Sequence, residues 1–106
     1  MQLSTQDVHG YSVVSIQGSI DFFTSPSLSR ATAVLVDSGS EHIVFDLSGV
    51  DFLDRSGLSV LVGTATQQRY SHRRFSVVGA AGAVRGTLER SQTDLPSFEV
   101  LEEIAA

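Results

Sequence analysis

The sequence predicts an α/β fold on a mixed β-sheet, and three observations carry that expectation. Apolar or β-branched runs of strand length alternate with stretches of helical period. Gly, Pro and capping Ser, Thr or Asp residues punctuate each change, and the chain opens on two strand-like runs separated only by His9-Gly10. Strands separated by single helices pair in parallel through right-handed crossovers, whereas an opening hairpin adds an antiparallel member. The expected order is β-β-α-β-α-β-α-β, with about four to five strands and about three to four helices. A chain of 106 residues buries about 65% of its unfolded surface, enough for one core, so a single domain over 1–106 is expected.

Each element has its own warrant. Leu3 to Val8 is a weak strand, while Tyr11, Val13, Val14 and Ile16 form a stronger aromatic and β-branched run that Gly18 is expected to end. A helix follows, with Thr24 or Ser25 as cap and Pro26 in its first turn, where a missing N–H costs nothing. Leu28, Ala31, Val34 and Leu35 share one helical face, and Gly39 closes the helix. Ile43-Val44-Phe45 reads as a strand buried on both faces, ending at Asp46-Leu47-Ser48-Gly49. A second helix begins at Asp54 or Arg55, with Asp54 as its cap and Leu58, Leu61, Val62 and Ala65 inward; Gly63 weakens it without breaking it. Phe75 to Val78 is the next strand, closed by Gly79. A third helix over Ala81 to Ser91 turns Val84 and Leu88 inward, and Phe98, Val100 and Leu101 make a last short strand before a frayed tail.

Composition removes several classes of function. The net charge is −5, from twelve acids against seven Arg with no Lys, and there is no Cys. Residues 1–54 carry seven acids and one Arg, giving −6; residues 55–106 carry six Arg and five acids, giving +1. Without a basic stripe, neither nucleic acid nor an anionic membrane surface is an expected partner. The missing Cys excludes disulfides and thiolate chemistry, and the missing Lys excludes a Schiff base or a P-loop lysine. No apolar run reaches the ~20 residues that span a bilayer. MQLSTQDVHG has neither a basic start nor an apolar core like a signal peptide's, so a cytoplasmic location is expected. His9, His42 and His72 are scattered rather than set at ligand spacing, so no metal is expected. Asp46, Asp51 and Asp54 lack the Lys that a receiver-type Mg²⁺ pocket needs. No G-x-S-x-G elbow frames any of the sixteen Ser. Gly79-Ala80-Ala81-Gly82 matches a phosphate loop only partially and reads as a strand-to-helix turn.

Ligands and partners of such sheets collect at the carboxyl ends of the strands. Two of those ends are acidic here, Gly18-Ser19-Ile20-Asp21 and Asp46-Leu47-Ser48. After the second, Asp54-Arg55-Ser56-Gly57 places the Ser56 hydroxyl in the first turn of a helix, where free N–H groups suit an anion. A phosphate on Ser56 would add about −1.5 to −2 charge there. The plainer alternative makes Asp54 a helix cap and Ser56 a solvated residue. Phe22-Phe23 is either an exposed contact or a hydrophobic staple under the first helix, and the staple is the favoured reading.

The segment Asp46-Leu47-Ser48-Gly49-Val50-Asp51-Phe52-Leu53-Asp54-Arg55-Ser56-Gly57-Leu58 closely resembles the signature of STAS domains, in particular anti-sigma factor antagonists, D-L-S-x-V-x-F-[LIM]-D-S-[ST]-G-[LI]. Gly18-Ser19-Ile20-Asp21 is similar to the family's G-x-[LI]-D. Val78-Gly79 with Val84, Arg85 and Leu88, and then Phe98-Glu99-Val100, match its later elements in order. The resemblance implies a binding module without cofactor, not an enzyme: a protein that binds an anti-sigma factor of the ATP-dependent serine-kinase type and frees a sigma factor. The kinase ends the interaction by phosphorylating the Ser after the motif Asp. Here that position is Arg55, and Ser56 aligns with the second hydroxyl. Ser56 takes the phosphate instead, or the switch is lost, or the domain serves another partner. The resemblance places Asp21, Phe22, Asp54, Arg55, Ser56, Gly57 and Leu58 in the contact face of a monomer or weak dimer. Its second implication is a non-phosphorylated regulatory subunit of an ABC lipid transporter ATPase.

Overall fold

A computed structural model describes the backbone of residues 1–94 and 99–101 and the side chains of residues 1–91. Its elements are β1 (Gln2–Val8), β2 (Tyr11–Ile20), α1 (Ser25–Asp37), β3 (His42–Leu53), α2 (Arg55–Tyr70), β4 (Arg74–Val78), α3 (Gly82–Asp94) and β5 (Glu99–Leu101). They form one five-stranded sheet in the order β1-β2-β3-β4-β5. β1 is antiparallel to β2, and every later neighbour is parallel. The mixed sheet, the opening hairpin and the order of elements are those expected from the sequence. The hairpin turns at His9 and Gly10, both with positive φ, which matches the twist of a tight two-residue connection.

Successive right-handed crossovers along a sheet in sequence order place all the helices on one face. Accordingly Leu28 of α1, Leu61 and Ala65 of α2, and Val84 and Leu88 of α3 share one buried cluster with Val14, Ile16, Ile43, Phe45, Phe75 and Val77. Phe45 and Phe75 meet edge to face at 4.9 Å within it. The other sheet face carries a smaller cluster of Val13, Val44 and Val78, flanked by Val8 and Tyr11. Ile43, Val44 and Phe45 are therefore covered on both sides, as their unbroken apolar run predicts.

Four sequence expectations need correction. Gly18 does not end β2: it adopts φ +98 inside the strand, which runs on to Ile20. β3 does not stop at Asp46-Leu47-Ser48-Gly49 but continues to Leu53. Val34 of α1 is exposed, and Thr32 takes the inward position, with its hydroxyl bonded to the Leu28 carbonyl. Thr24 stands at the N-cap of α1, but its side chain makes no capping bond. The expectations for Phe98 and the Glu102-Glu103 tail lie outside the described residues.

The longer β3 has a consequence for the site. β4 pairs with β3 only as far as Asp46, so residues 47–53 are paired with β2 alone. Along that extension β3 twice sets one extra residue against β2. Ser15 and Gln17 pair with Asp46 and Gly49, and Gly18 and Ser19 pair with Val50 and Phe52. Each bulge resets the alternation of side chains. Leu47, Val50 and Leu53 all turn inward at intervals of three, leaving Ser48, Gly49, Asp51 and Phe52 exposed.

At the opposite end, the fully buried Gln68 of α2 donates its amide to the carbonyls of Ser40 and Arg74, both at 2.9 Å. It thereby ties the entry into β3 to the start of β4. Gln68→Leu keeps the packing volume but strips both carbonyls of their donor. We expect it to lower unfolding stability by about 1–3 kcal/mol, read from the urea midpoint.

Candidate functional site

The carboxyl ends of β2 and β3 feed two turns that meet. The first is Asp21-Phe22-Phe23-Thr24, between β2 and α1. The Asp21 Oδ1 accepts from the Phe23 and Thr24 backbone N–H groups at 2.9 and 3.0 Å. The Thr24 hydroxyl donates back to the Ser19 carbonyl at 2.8 Å. Thr24 thus braces the turn rather than capping the helix. Asp with Ser or Thr so close in sequence favours this local side chain to backbone bonding.

The second turn is Leu53-Asp54-Arg55, between β3 and α2. Asp54 is extended and caps α2, its Oδ1 accepting from the Gly57 N–H at 3.0 Å. That cap was legible in the sequence. The second oxygen was not: Asp54 Oδ2 accepts from the Phe22 N–H at 3.2 Å. The Asp54 N–H also donates to the Ile20 carbonyl at 3.2 Å, and its carbonyl accepts from Leu58 at 2.9 Å. One residue therefore joins both turns to the sheet and to α2.

Gly57 is what allows the turns to meet. A Cβ there would stand 2.6 Å from the Ile20 carbonyl oxygen and 2.7 Å from both Ile20 Cγ2 and Leu53 Cδ1. The resemblance places Gly57 in the contact face, but it is buried, and its effect is to seat α2 directly on the strand ends. Ser56 is half-buried in the first turn, and its hydroxyl makes no side-chain hydrogen bond among the described residues. Leu58 is half-buried.

Arg55 directly follows Asp54 in the chain but forms no ion pair among the described residues. It is exposed and lines a shallow cleft of about 360 Å³ toward α3, with Leu58, Thr87 and Arg90. The favoured staple for Phe22-Phe23 is overturned. Both rings are exposed, 69% and 86%, and meet each other edge to face at 5.6 Å. A staple needs the residue before the cap to turn under the helix. Here the two carboxylates hold the backbone N–H groups of both phenylalanines inward, and the rings project out.

One exposed residue of this end escaped sequence reasoning. Phe52, 52% exposed, falls beyond the strand end expected from the sequence, and in the extended β3 the second bulge turns it outward. A motif residue two positions before a helix cap was the signal available for it. The histidines lie elsewhere. His42 at the start of β3 stands 2.7 Å from the buried Ser76 hydroxyl and edge-on to Tyr11, while His9 and His72 occupy positive-φ turns.

Comparison with known proteins agrees with this architecture. A family model described as the STAS domain matches residues 2–104. The anti-sigma-F factor antagonist RsfB of Mycobacterium tuberculosis is 34% identical over 83 residues, which span 78% of this chain and 67% of that protein. A crystal structure of an anti-sigma factor antagonist from Mycobacterium paratuberculosis superposes with a TM-score of 0.82 at 31% identity, covering 97% of this chain and 86% of that one. The Bacillus cell fate determinant SpoIIAA in its phosphorylated form shares the fold at TM-score 0.74 and 14% identity, covering 96% and 93% of the two chains.

The two glycines of α2 should respond in opposite directions to alanine. Gly57→Ala drives a methyl group into backbone and should destabilise by about 1–3 kcal/mol. Gly63 faces open space, so Gly63→Ala should stabilise by about 0.5–1 kcal/mol through helix propensity. Denaturant midpoints of the two variants, measured beside the parent, check both signs.

Proposed function

Because the chain belongs to the STAS domain family, we propose that it is an anti-sigma factor antagonist: it binds an anti-sigma factor of the serine-kinase type and so frees a sigma factor for transcription. It does this by binding, without catalysis or cofactor. The observation that carries the reading is the paired turn, in which the family motif at 46–58 is braced by Asp54 against Asp21-Phe22 at the open end of the sheet. Asp21, Phe22, Asp54, Arg55, Ser56 and Leu58 supply the contact face. Gly57 shapes it from beneath. The antagonists named among the relatives support this role.

The switch on this face is altered. The residue after Asp54, where the family carries its phosphoacceptor, is Arg55, and its side chain is turned toward α3. Ser56 is the remaining hydroxyl of the turn, but one helical position rotates a side chain by about 100°. A kinase fitted to position 55 therefore meets Ser56 at a different angle. The protein accordingly stays competent to bind under conditions in which kinase action turns related antagonists off. The same loss of the acceptor favours a second reading, a non-phosphorylated regulatory subunit of an ABC lipid transporter ATPase. Co-purification of a transporter ATPase instead of an anti-sigma factor would select it.

Intact-mass analysis after incubation with the cognate kinase and ATP tests the switch. Arg55→Ser should gain one phosphate at position 55, whereas the parent gains none there. Failure of that variant to gain phosphate while still binding the kinase would overturn the alignment. Ser56→Asp places a carboxylate in the first turn of α2 beside the Asp54 cap, and we expect it to lose the partner in a parallel pull-down.

A further inference from the structure

Apolar surface is unevenly distributed on this protein. Six large hydrophobic residues are exposed among the described side chains, and four of them lie at the open end of β2 and β3. Phe22 and Phe23 occupy the β2–α1 turn. Phe52 pairs with Ser19 two residues before Asp54, and the Met1 backbone lies 3.4 Å from the Cβ position of Gly18. The other two, Val34 and Tyr70, are isolated on α1 and at the far end of α2. Scattered exposed hydrophobics are ordinary, but a concentration of them at one end of the sheet points to a surface that is covered in use.

The exposure of this group is built in. The Phe22 N–H is held by Asp54 and the Phe23 N–H by Asp21, so charge-assisted bonds hold the turn backbone from which both rings project. Phe52 is turned outward by a bulge that simultaneously keeps Val50 and Leu53 in the core. Together the three rings expose roughly 400 Å² of aromatic surface, about half of one partner's share of a standard interface. Carboxylates lie in the same segments. Asp51, next to Phe52 in the chain, is exposed and bonded to the Ser19 hydroxyl at 3.1 Å, and the half-buried Asp21 and Asp54 hold the backbone N–H groups of Phe23 and Phe22. Residues 1–54 carry a net charge of −6.

The geometry points to Phe22, Phe23 and Phe52 as the anchor of the antagonist's interface, received by an apolar pocket with an Arg- and Lys-rich rim on the anti-sigma factor. This rests on the antagonist reading above and adds what the partner must present. Aromatic side chains on a fixed backbone lose little entropy on docking and dominate interface energetics. The acidic residues of these segments, Asp21, Asp51 and Asp54, favour a basic rim and raise the rate of encounter. Asp54 is a positioning residue here: it acts through Phe22 while capping α2.

The test uses the full chain against each serine-kinase-type anti-sigma factor of the source organism, purified singly, with surface plasmon resonance as the readout. The parent should bind one of them. Phe23→Ser and Phe52→Ser should each weaken binding at least tenfold through faster dissociation, with an unchanged thermal midpoint. Tyr70→Ser, at the far end of α2, should leave binding as it is. Asp51→Asn keeps the acceptor for Ser19 but removes the charge. It should slow association severalfold at low salt and reduce the salt dependence of the rate. If the parent binds and the two Phe variants bind within threefold of it, the anchor is wrong while the antagonist reading stands. If the parent binds none of the anti-sigma factors, the antagonist reading falls and the anchor with it. Parent dimerisation in sedimentation that is lost in both Phe variants, together with unchanged binding by them, would give the patch to a second copy and overturn the partner assignment.

Discussion

Everything at the open end of this fold depends on the Asp54 carboxylate. One oxygen satisfies a backbone N–H in the first turn of α2, and the other holds the N–H of Phe22 across the gap between two strand ends. An N-cap of this kind is worth about 0.5–2 kcal/mol by itself. The second bond converts a local cap into a tertiary tie, because it makes the position of the β2–α1 turn conditional on the start of α2. The backbone of Asp54 adds to the tie through Ile20 and Leu58. A side chain with a single acceptor could satisfy one half of this arrangement, but not both.

That tie needs close approach, and close approach has its own sequence requirement. Gly57 lets α2 rest against the Ile20 carbonyl at a distance no Cβ could share. The Gly of the motif is therefore a packing residue, while its neighbours Arg55 and Ser56 face outward from the same turn. The motif combines residues that build the turn with residues that the turn displays. Sequence proximity alone does not separate them, because a helix sends adjacent side chains about 100° apart.

The two bulges of β3 act on the same scale. A strand of strict alternation would carry Leu47, Val50 and Leu53 on different faces, and one of them would lose its place in the core. One extra residue at each bulge keeps all three buried, at intervals of three, and sends Asp51 and Phe52 into solvent. Core packing and surface display are thus solved by one irregularity. Its location beyond the reach of β4 fits, because there β3 has only one neighbouring strand whose register must be accommodated.

Most of the fold was legible in the sequence. The order of elements, the parallel pairing after an antiparallel hairpin, the Asp54 cap, the doubly buried Ile43-Val44-Phe45 and the inward Val84 and Leu88 all follow from period, punctuation and capping chemistry. These are local signals, each carried within a few residues. The family signature at 46–58 was legible for the same reason, as was its departure at Arg55. What the sequence concealed depended on contacts between segments distant along the chain. Gly18 reads as a strand end, but the neighbouring β3 keeps it paired as an irregularity inside the strand. Phe22 and Phe23 read as a staple until Asp54, 32 residues beyond Phe22, takes the N–H that fixes their direction. Phe52 falls beyond the expected end of its strand, and only the extension of β3 and its register with Ser19 place it, turned outward. The sequence by itself determined the type and order of the strands and helices and the turn capped by Asp54, though not where β2 and β3 end, since backbone propensity and amphipathic period are local. Only the tertiary structure decided which side chains near that turn are exposed, because exposure is set by inter-strand register and by hydrogen bonds that exist only once the two turns meet.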